Sequence, residues 1–504
     1  LTLLHSFDDA DDGDGRQPLA LRLLVISSLV VGLLLRLSQN YTEPLWLDET
    51  FTGAIAIGRS FPLLVEDLFN EVGGPVYYSL MWAWEKLAGP SNIALRIPSL
   101  AFAAAAPVLV LWRGHHDKAV RWTWAILLAL WFPSVSYAAE ARSYTLLFLL
   151  SCGQTILFIR MVERPIMGSV LPWSLISGVA ILTHYHALVL VALQGLSFLA
   201  VHRCKAVRVW PAFLPFAPVA AFIGAHLPQN VGSAKVSWYK LLDPRSAVGG
   251  LVDLLLGLGW FGAPLLGILA LAIGSGLLRA AKGSNPLPYR CVDVLAVSTS
   301  VVAVLIVFVL GHIKPSFSAR YLFAYMPGVL LGMALTIAVL GRRSPLLPVL
   351  LLGYLLTCGI ARLGAALIEE PSAFRRGYSW EEASAYLQQQ DVERVIFLWD
   401  NVSVLGHHKP LLARVGSFYF DRAGIPIQRG ALAVQGSDEQ LRSALLAAAS
   451  AGSAARQTVG TILVGRQMKL SASDPHWRCI EYGGPAYDID IHVTACARPP
   501  VLSS

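Results

Sequence analysis

The stretch Tyr41-Thr42-Glu43-Pro44-Leu45-Trp46-Leu47-Asp48-Glu49 sets two adjacent carboxylates just beyond the end of the first long apolar segment. Trp and Leu beside them mark a bilayer surface rather than open water. A poorly hydrated carboxylate holds a proton more readily, which suits general-base chemistry. The competing reading is a helix-start acid for a segment beginning near Thr50, stabilised by the helix dipole. What surrounds this stretch decides between the two.

The chain has 504 residues, of which 55% are hydrophobic and only 14% charged, with a mean hydropathy of +0.58. A soluble protein is nearer one-quarter charged, so this composition is that of an integral membrane protein. The apolar segments are continuous rather than alternating, which excludes a barrel and leaves helices. Eleven crossings are expected, at 19–37, 93–112, 122–137, 143–160, 170–184, 187–202, 208–225, 249–273, 291–311, 320–340 and 346–366. The formal charge of +7 lies in short loops and is no nucleic-acid footprint.

Orientation follows from those loops. Segments 113–121, 160–170, 202–208, 279–290 and 341–345 hold 13 Lys and Arg among 44 residues, several-fold denser than the opposite face. Basic residues accumulate on the cytoplasmic side. The N-terminus is therefore expected inside, with the Asp48–Glu49 loop and everything after 367 outside. Arg22 and Arg36 flank the first segment and no small-x-small site follows, so it reads as a retained anchor. Residues 1–18, with Asp8, Asp9, Asp11, Asp12 and Asp14, read as a disordered acidic tail.

The external loop 38–92 is half apolar. Gly73 to Leu87 is too short and too charged to cross, and fits a helix lying in the interface, with a second one over 51–69. Residues 371–504 are soluble in composition. A capping box at Ser379-Trp380-Glu381-Glu382, strands at 395–399 and 461–465, and a helix from Ser437 suggest a small α/β layer domain. Cys479 and Cys496 could form a bridge there, but a hairpin turn at Gly483–Ala486 would place Cys479 opposite Asp490 instead. The expected fold is an all-α polytopic membrane domain over 19–366 with a C-terminal soluble α/β domain.

Three further external elements carry chemistry. Glu140 and Arg142 lie where the third and fourth crossings meet, and charged residues near membrane depth usually have a specific task. Lys314 and Arg320 offer a point charge and a planar fork suited to phosphate, although snorkelling anchors are the bland alternative. His184 and His186 are two apart, with no nearby acid or Cys, and read as a polar cavity wall rather than metal ligands. Loop 225–248, with Lys235, Trp238, Tyr239, Lys240 and Arg245, is a candidate headgroup contact.

Together these elements resemble the membrane glycosyltransferases of the GT-C fold, and most of all the branch of protein O-mannosyltransferases and lipid A aminoarabinose transferases. The matching residues are Leu45-Trp46-Leu47-Asp48-Glu49, Pro75-Val76-Tyr77-Tyr78, Ala94-Leu95-Arg96-Ile97-Pro98-Ser99, Glu140-Ala141-Arg142-Ser143-Tyr144, Lys314-Pro315 and Arg320-Tyr321. The resemblance implies a polyprenyl-phosphate-linked sugar donor, inverting transfer to a lipid, glycan or protein at the periplasmic face of the inner membrane, and no cofactor or metal. Asp48 would be the general base, with Glu49 and Glu140 shaping the site. Arg142, Lys314 and Arg320 would hold the leaving phosphate, and Tyr77, Tyr78, Tyr144, Tyr321, His184 and His186 would line the substrate site. Gly73-Gly74-Pro75 stands where many relatives have His-Pro-Pro, and Glu71 is a possible substitute for the missing side chain. Oligosaccharide transfer from a lipid diphosphate is the nearest alternative. A transporter is the other, but it lacks the internal repeat and midplane charges such proteins show.

Overall fold

The computed structural model describes residues 19–71, 73–231, 265–271, 289–313, 318–342, 344–368, 380–400, 409–434, 458–465, 477–483 and 492–498, with scattered positions over 255–262, 273–274 and 439–447. The acidic tail, Lys314, residues 232–248 of the candidate headgroup loop, Ser379 and most of the 249–273 crossing lie outside the described residues, as does most of the helix expected from Ser437. Among the described residues, six helices are long and apolar enough to cross a membrane, and shorter apolar helices accompany them.

The membrane part begins with α1 (Leu19–Leu37). Three helices outside the crossings follow: α2 (Leu47–Ala56), α3 (Phe61–Asn70) and α4 (Pro75–Ala88). The single helix expected over 51–69 is thus two, parted at 57–60, where Ser60 caps α3 and Pro62 occupies its first turn. The long α5 (Asn92–Arg113) opens on a Ser91 cap, and α8 (Tyr144–Glu163), α9 (Met167–Thr183) and α10 (Ala187–His202) complete the central bundle. Then come α11 (Phe216–Val231), α12 (Cys291–Ile313), α13 (Met326–Gly341) and α14 (Leu346–Ile368).

Three expected crossings are not single α-helices. Segment 122–137 divides into α6 (Lys118–Leu130) and α7 (Phe132–Ala138). Pro133 lacks the N–H that would bond Ala129, four residues back. Arg36, buried on α1, supplies the missing donors: its guanidinium gives hydrogen bonds to the Ala129 carbonyl at 2.8 Å and to Ser134 Oγ at 2.5 Å. Segment 208–225 is a 3₁₀ stretch (Arg203–Phe213) followed by α11, and 320–340 starts with a 3₁₀ turn (Ala319–Ala324) ahead of α13.

The C-terminal residues form a five-stranded sheet in the order β2-β1-β3-β5-β4. Its strands are β1 (Arg394–Asp400), β2 (Gln428–Val434), β3 (Val459–Gly465), β4 (Arg478–Gly483) and β5 (His492–Arg498). The first three are parallel, and β5 and β4 join antiparallel. Helices α15 (Trp380–Gln389) and α16 (Lys409–Ala423) pack on it. Cys479 lies directly across from Cys496 and the two form a disulfide. The expected register was therefore wrong: Gly483 pairs with His492, not with Ala486. Closing that loop constrains the unfolded chain by roughly 3 kcal/mol.

α16 also lies on α2, so one helix joins the sheet to the acid-bearing element. A Cβ at Gly53 would come within 2.7 Å of the Phe418 ring, which is why the smallest residue stands at this crossing. The Leu45 N–H donates to the Tyr419 hydroxyl at 2.9 Å, and Arg414 pairs with buried Asp67 of α3. α16 thus holds Leu45 ahead of α2, Gly53 within it and Asp67 on α3.

Candidate active site

Trp46 takes an extended conformation ahead of α2, which puts Asp48 and Glu49 in the first turn. That end of a helix favours negative charge. The two side chains then part company. Glu49 is buried and meets the Arg96 guanidinium as a two-pronged pair, Nε to Oε1 at 2.8 Å and Nη2 to Oε2 at 2.7 Å. It also accepts from the Ala141 N–H at 2.7 Å and the Trp46 N–H at 3.2 Å. Arg96 spends its remaining donors on the carbonyls of Tyr41, Glu43 and Pro44. Glu49 therefore ties three segments together: the start of α2, the middle of α5's first turns and the loop before α8.

Asp48 keeps its side chain about 25% exposed. Its Oδ2 accepts from Arg320 Nη1 at 2.9 Å, with Arg142 Nη2 3.9 Å away. Arg142 Nη1 also donates to the Asp48 carbonyl and to the Tyr78 hydroxyl, each at 3.0 Å. Tyr78 in turn donates to Glu71 at 2.9 Å. Burial holds the Tyr78 hydroxyl well above its ordinary value, so it stays protonated and relays between Arg142 and Glu71. Burial likewise raises Glu71, against the opposing pull of Arg142 and Tyr78.

Arg320 lies near three aromatic faces, Trp46, Tyr144 and Tyr321, at 5.7–5.8 Å from each ring centre. Tyr321 stacks on His186 at 4.3 Å and approaches His184 at 5.2 Å, while Tyr144 lies 5.8 Å from His184. Both imidazoles sit in the short turn between α9 and α10. Burial pulls His186 down to about 4, and burial with His186, Arg142 and Arg320 pulls His184 well below the usual histidine range. Two neutral rings therefore line a wall beside two guanidinium groups.

The structure thus brings Asp48, Arg142, Tyr144, Arg320, Tyr321, Tyr78, His184 and His186 to one place, where α5, α8 and α10 begin. Tyr77 is set behind it: its hydroxyl meets Ser99 at 3.4 Å, and Ser99 donates to the Arg142 carbonyl at 3.3 Å. Glu140 is buried in the tight turn before α8, and its carbonyl accepts from the Arg142 N–H at 2.8 Å. Among the described residues no group of three or more His, Cys, Asp or Glu is placed to hold a metal ion.

Three further residues join this constellation. Glu71 ends the Tyr78 relay, and its backbone carbonyl bonds His226 at 2.9 Å. This backbone leaves no room for the His-Pro pair, because a Cβ at Gly73 would lie 2.8 Å from the Tyr78 ring and one at Gly74 2.0 Å from the Leu182 carbonyl oxygen. Arg96 gave a readable signal, an arginine inside an apolar span that must find a buried acid. Tyr419 gave none, since nothing local connects it to Leu45.

The chemistry available is clear from these distances. A partly exposed carboxylate can take a proton from a hydroxyl, and two adjacent guanidinium groups can receive an anion through paired hydrogen bonds.

No protein-family model matches the chain, and no curated protein matches it in sequence. Solved structures do. ArnT from Cupriavidus metallidurans in the apo state aligns with a TM-score of 0.53 and 14% identity, over 94% of this chain and 97% of that one. The same ArnT bound to undecaprenyl phosphate aligns with a TM-score of 0.55 and 13% identity over the same shares. Such low identity speaks to architecture alone, and the chain has the GT-C fold that its sequence motifs led us to expect.

Proposed function

We propose that the protein is an inverting membrane glycosyltransferase that moves one sugar from a polyprenyl-phosphate donor to a lipid, glycan or protein hydroxyl. The observation that carries this reading is the meeting of Asp48 with Arg320 and Arg142, drawn from three distant segments, at one end of the bundle. The undecaprenyl phosphate held by the structurally similar ArnT supports the donor class.

In this reading Asp48 is the general base, and the acceptor hydroxyl attacks the anomeric carbon as its proton passes to the carboxylate. Arg142 and Arg320 stabilise the phosphate as the sugar leaves. Donor phosphate competes with Asp48 for Arg320, so donor binding itself readies the base. Glu49 is a positioning residue, because its oxygens already serve Arg96 and two backbone N–H groups. Tyr78 and Glu71 hold Arg142, and His184, His186, Tyr144 and Tyr321 wall the sugar or its acceptor. We place the site on the periplasmic side of the inner membrane, following the loop charges. The Cys479–Cys496 bridge fits an oxidising compartment there.

Incubating the purified protein with a panel of undecaprenyl-phosphate sugars, followed by mass spectrometry, tests the assignment. One donor should be consumed with release of undecaprenyl phosphate, and Asp48→Asn should abolish turnover while leaving the protein folded. Near-normal turnover in Asp48→Asn would remove Asp48 as the base. Consumption of none but diphosphate-linked oligosaccharides would move the enzyme to that neighbouring class.

A further inference from the structure

α5 and α8 both start at the Asp48 site and run away from it. Between Tyr144 and Arg160, α8 rises about 24 Å, so the far ends of these helices lie on the other side of the bundle. A cavity of about 240 Å³ opens there between α5, α6, α8 and the residue preceding α12. Arg113, His116, Arg121, Arg160 and Arg290 line it together with one acid, Glu163, over an apolar floor of Ile156 and Ile159. It has the volume of about eight water molecules, enough for a tetrahedral anion on an ester arm.

The acids at this end are already engaged. Arg290 forks onto Asp293 at 2.7 and 2.8 Å and also bonds Glu163. Asp293 further meets His115 at 3.3 Å. Asp117 caps α6 through the Ala119 N–H at 2.8 Å and pairs with Arg342 at 3.3 Å. Arg121 and Arg160 add positive charge that these pairs do not cancel, and Arg160 donates to the Arg113 carbonyl at 3.1 Å, which holds the far ends of α8 and α5 together. Burial first, and then His115 and Arg290, depress the His116 imidazole against the opposing pull of Asp293 and Asp117.

We propose that this cavity binds the phosphate of an anionic lipid headgroup, at the end of the bundle opposite the Asp48 site. Guanidinium forks match phosphate oxygens, and basic pockets between membrane helices take anionic headgroups. The location selects a lipid over a soluble anion. Trp112 is exposed at the rim with Arg113 over its ring at 4.5 Å, an arrangement suited to the membrane interface.

Native mass spectrometry of the full-length protein in detergent reads the outcome, with dioleoylphosphatidylglycerol and dioleoylphosphatidylcholine offered in equal amounts. Wild type should retain phosphatidylglycerol preferentially. R121Q/R160Q should lower that retention about tenfold, as expected for lost charge-assisted bonds. R160Q alone removes an exposed side chain, preserves the fold and should show a smaller loss. Equal retention by wild type and both variants overturns the proposal. Calorimetric binding of inorganic phosphate that R160Q weakens, with lipid retention unchanged, overturns the lipid source and assigns the cavity to free phosphate.

Discussion

Asp48 and Glu49 are neighbours in sequence with opposite fates. The turn of α2 sends Glu49 into a dry three-way junction and leaves Asp48 on an accessible face beside two arginines. Removing the buried charge from Glu49 strands Arg96, and breaking such a pair costs about 3–5 kcal/mol. Glu49→Gln should therefore lower the melting temperature sharply in detergent, whereas Asp48→Asn should melt close to wild type. Equal melting of the two variants would deny the junction its structural role. The acid pair was legible in the sequence, but not which member is sequestered, because that depends on Arg96 arriving from a different helix. His186 offers a second test at this scale. Its ordinary value lies near 6.5 and burial takes it to about 4 in the folded protein. Between those values the unfolded chain binds the proton and the folded one does not, so this stabilisation is present above about 6.5 and lost as pH falls toward 4. Thermal unfolding at pH 7.5 and pH 5 should show a larger loss for wild type than for His186→Gln; parallel curves would contradict a neutral, buried ring.

At the level of elements, continuous apolar runs gave away the helices, and the short helix α4 was readable between Gly73 and Leu87. Breaks within runs were harder to see. Pro133 sits inside an otherwise unbroken apolar segment, and a proline there can kink a helix or end it. Here it ends α6, because Arg36 on α1 is available to satisfy the carbonyl that the proline orphans. Replacing Arg36 with Met should leave those acceptors unmatched at about 1–3 kcal/mol. A melting temperature lowered by about 1–3 °C is expected for a chain of this size, and an unchanged one would mean that water or a neighbour takes over the role. The β4–β5 register departs from the expected one for a related reason: Gly483-Gly484-Pro485 looks like the turn, yet the strands remain paired up to Gly483 and His492. Cross-strand register reflects pairing on both flanks, and the turn residues alone do not decide it.

The whole molecule places the candidate site at one end of a helical bundle, with α16 packed against it. α16, packed on the C-terminal sheet, meets α2 through Phe418, the residues just before it through Tyr419 and α3 through Arg414, so it braces the acid-bearing turn on either side. Nothing in the sequence linked residue 419 to residue 45, since that contact spans nearly the entire chain. For Asp48, Arg142 and Arg320 the sequence offered only the expectation of loops on one side; their mutual distances come from the packing of α2, α8 and the turn ahead of α13. The affinity of the purified protein for undecaprenyl phosphate in wild type, Arg320→Ala and Asp48→Asn tests that convergence most directly. Loss of a charge-assisted contact of about 1.5–3 kcal/mol should weaken binding about 10- to 100-fold in Arg320→Ala. Asp48→Asn should bind at least as tightly as wild type, because it removes the carboxylate that competes for Arg320. Unchanged affinity in Arg320→Ala, or weakened affinity in Asp48→Asn, would contradict a shared phosphate and base site.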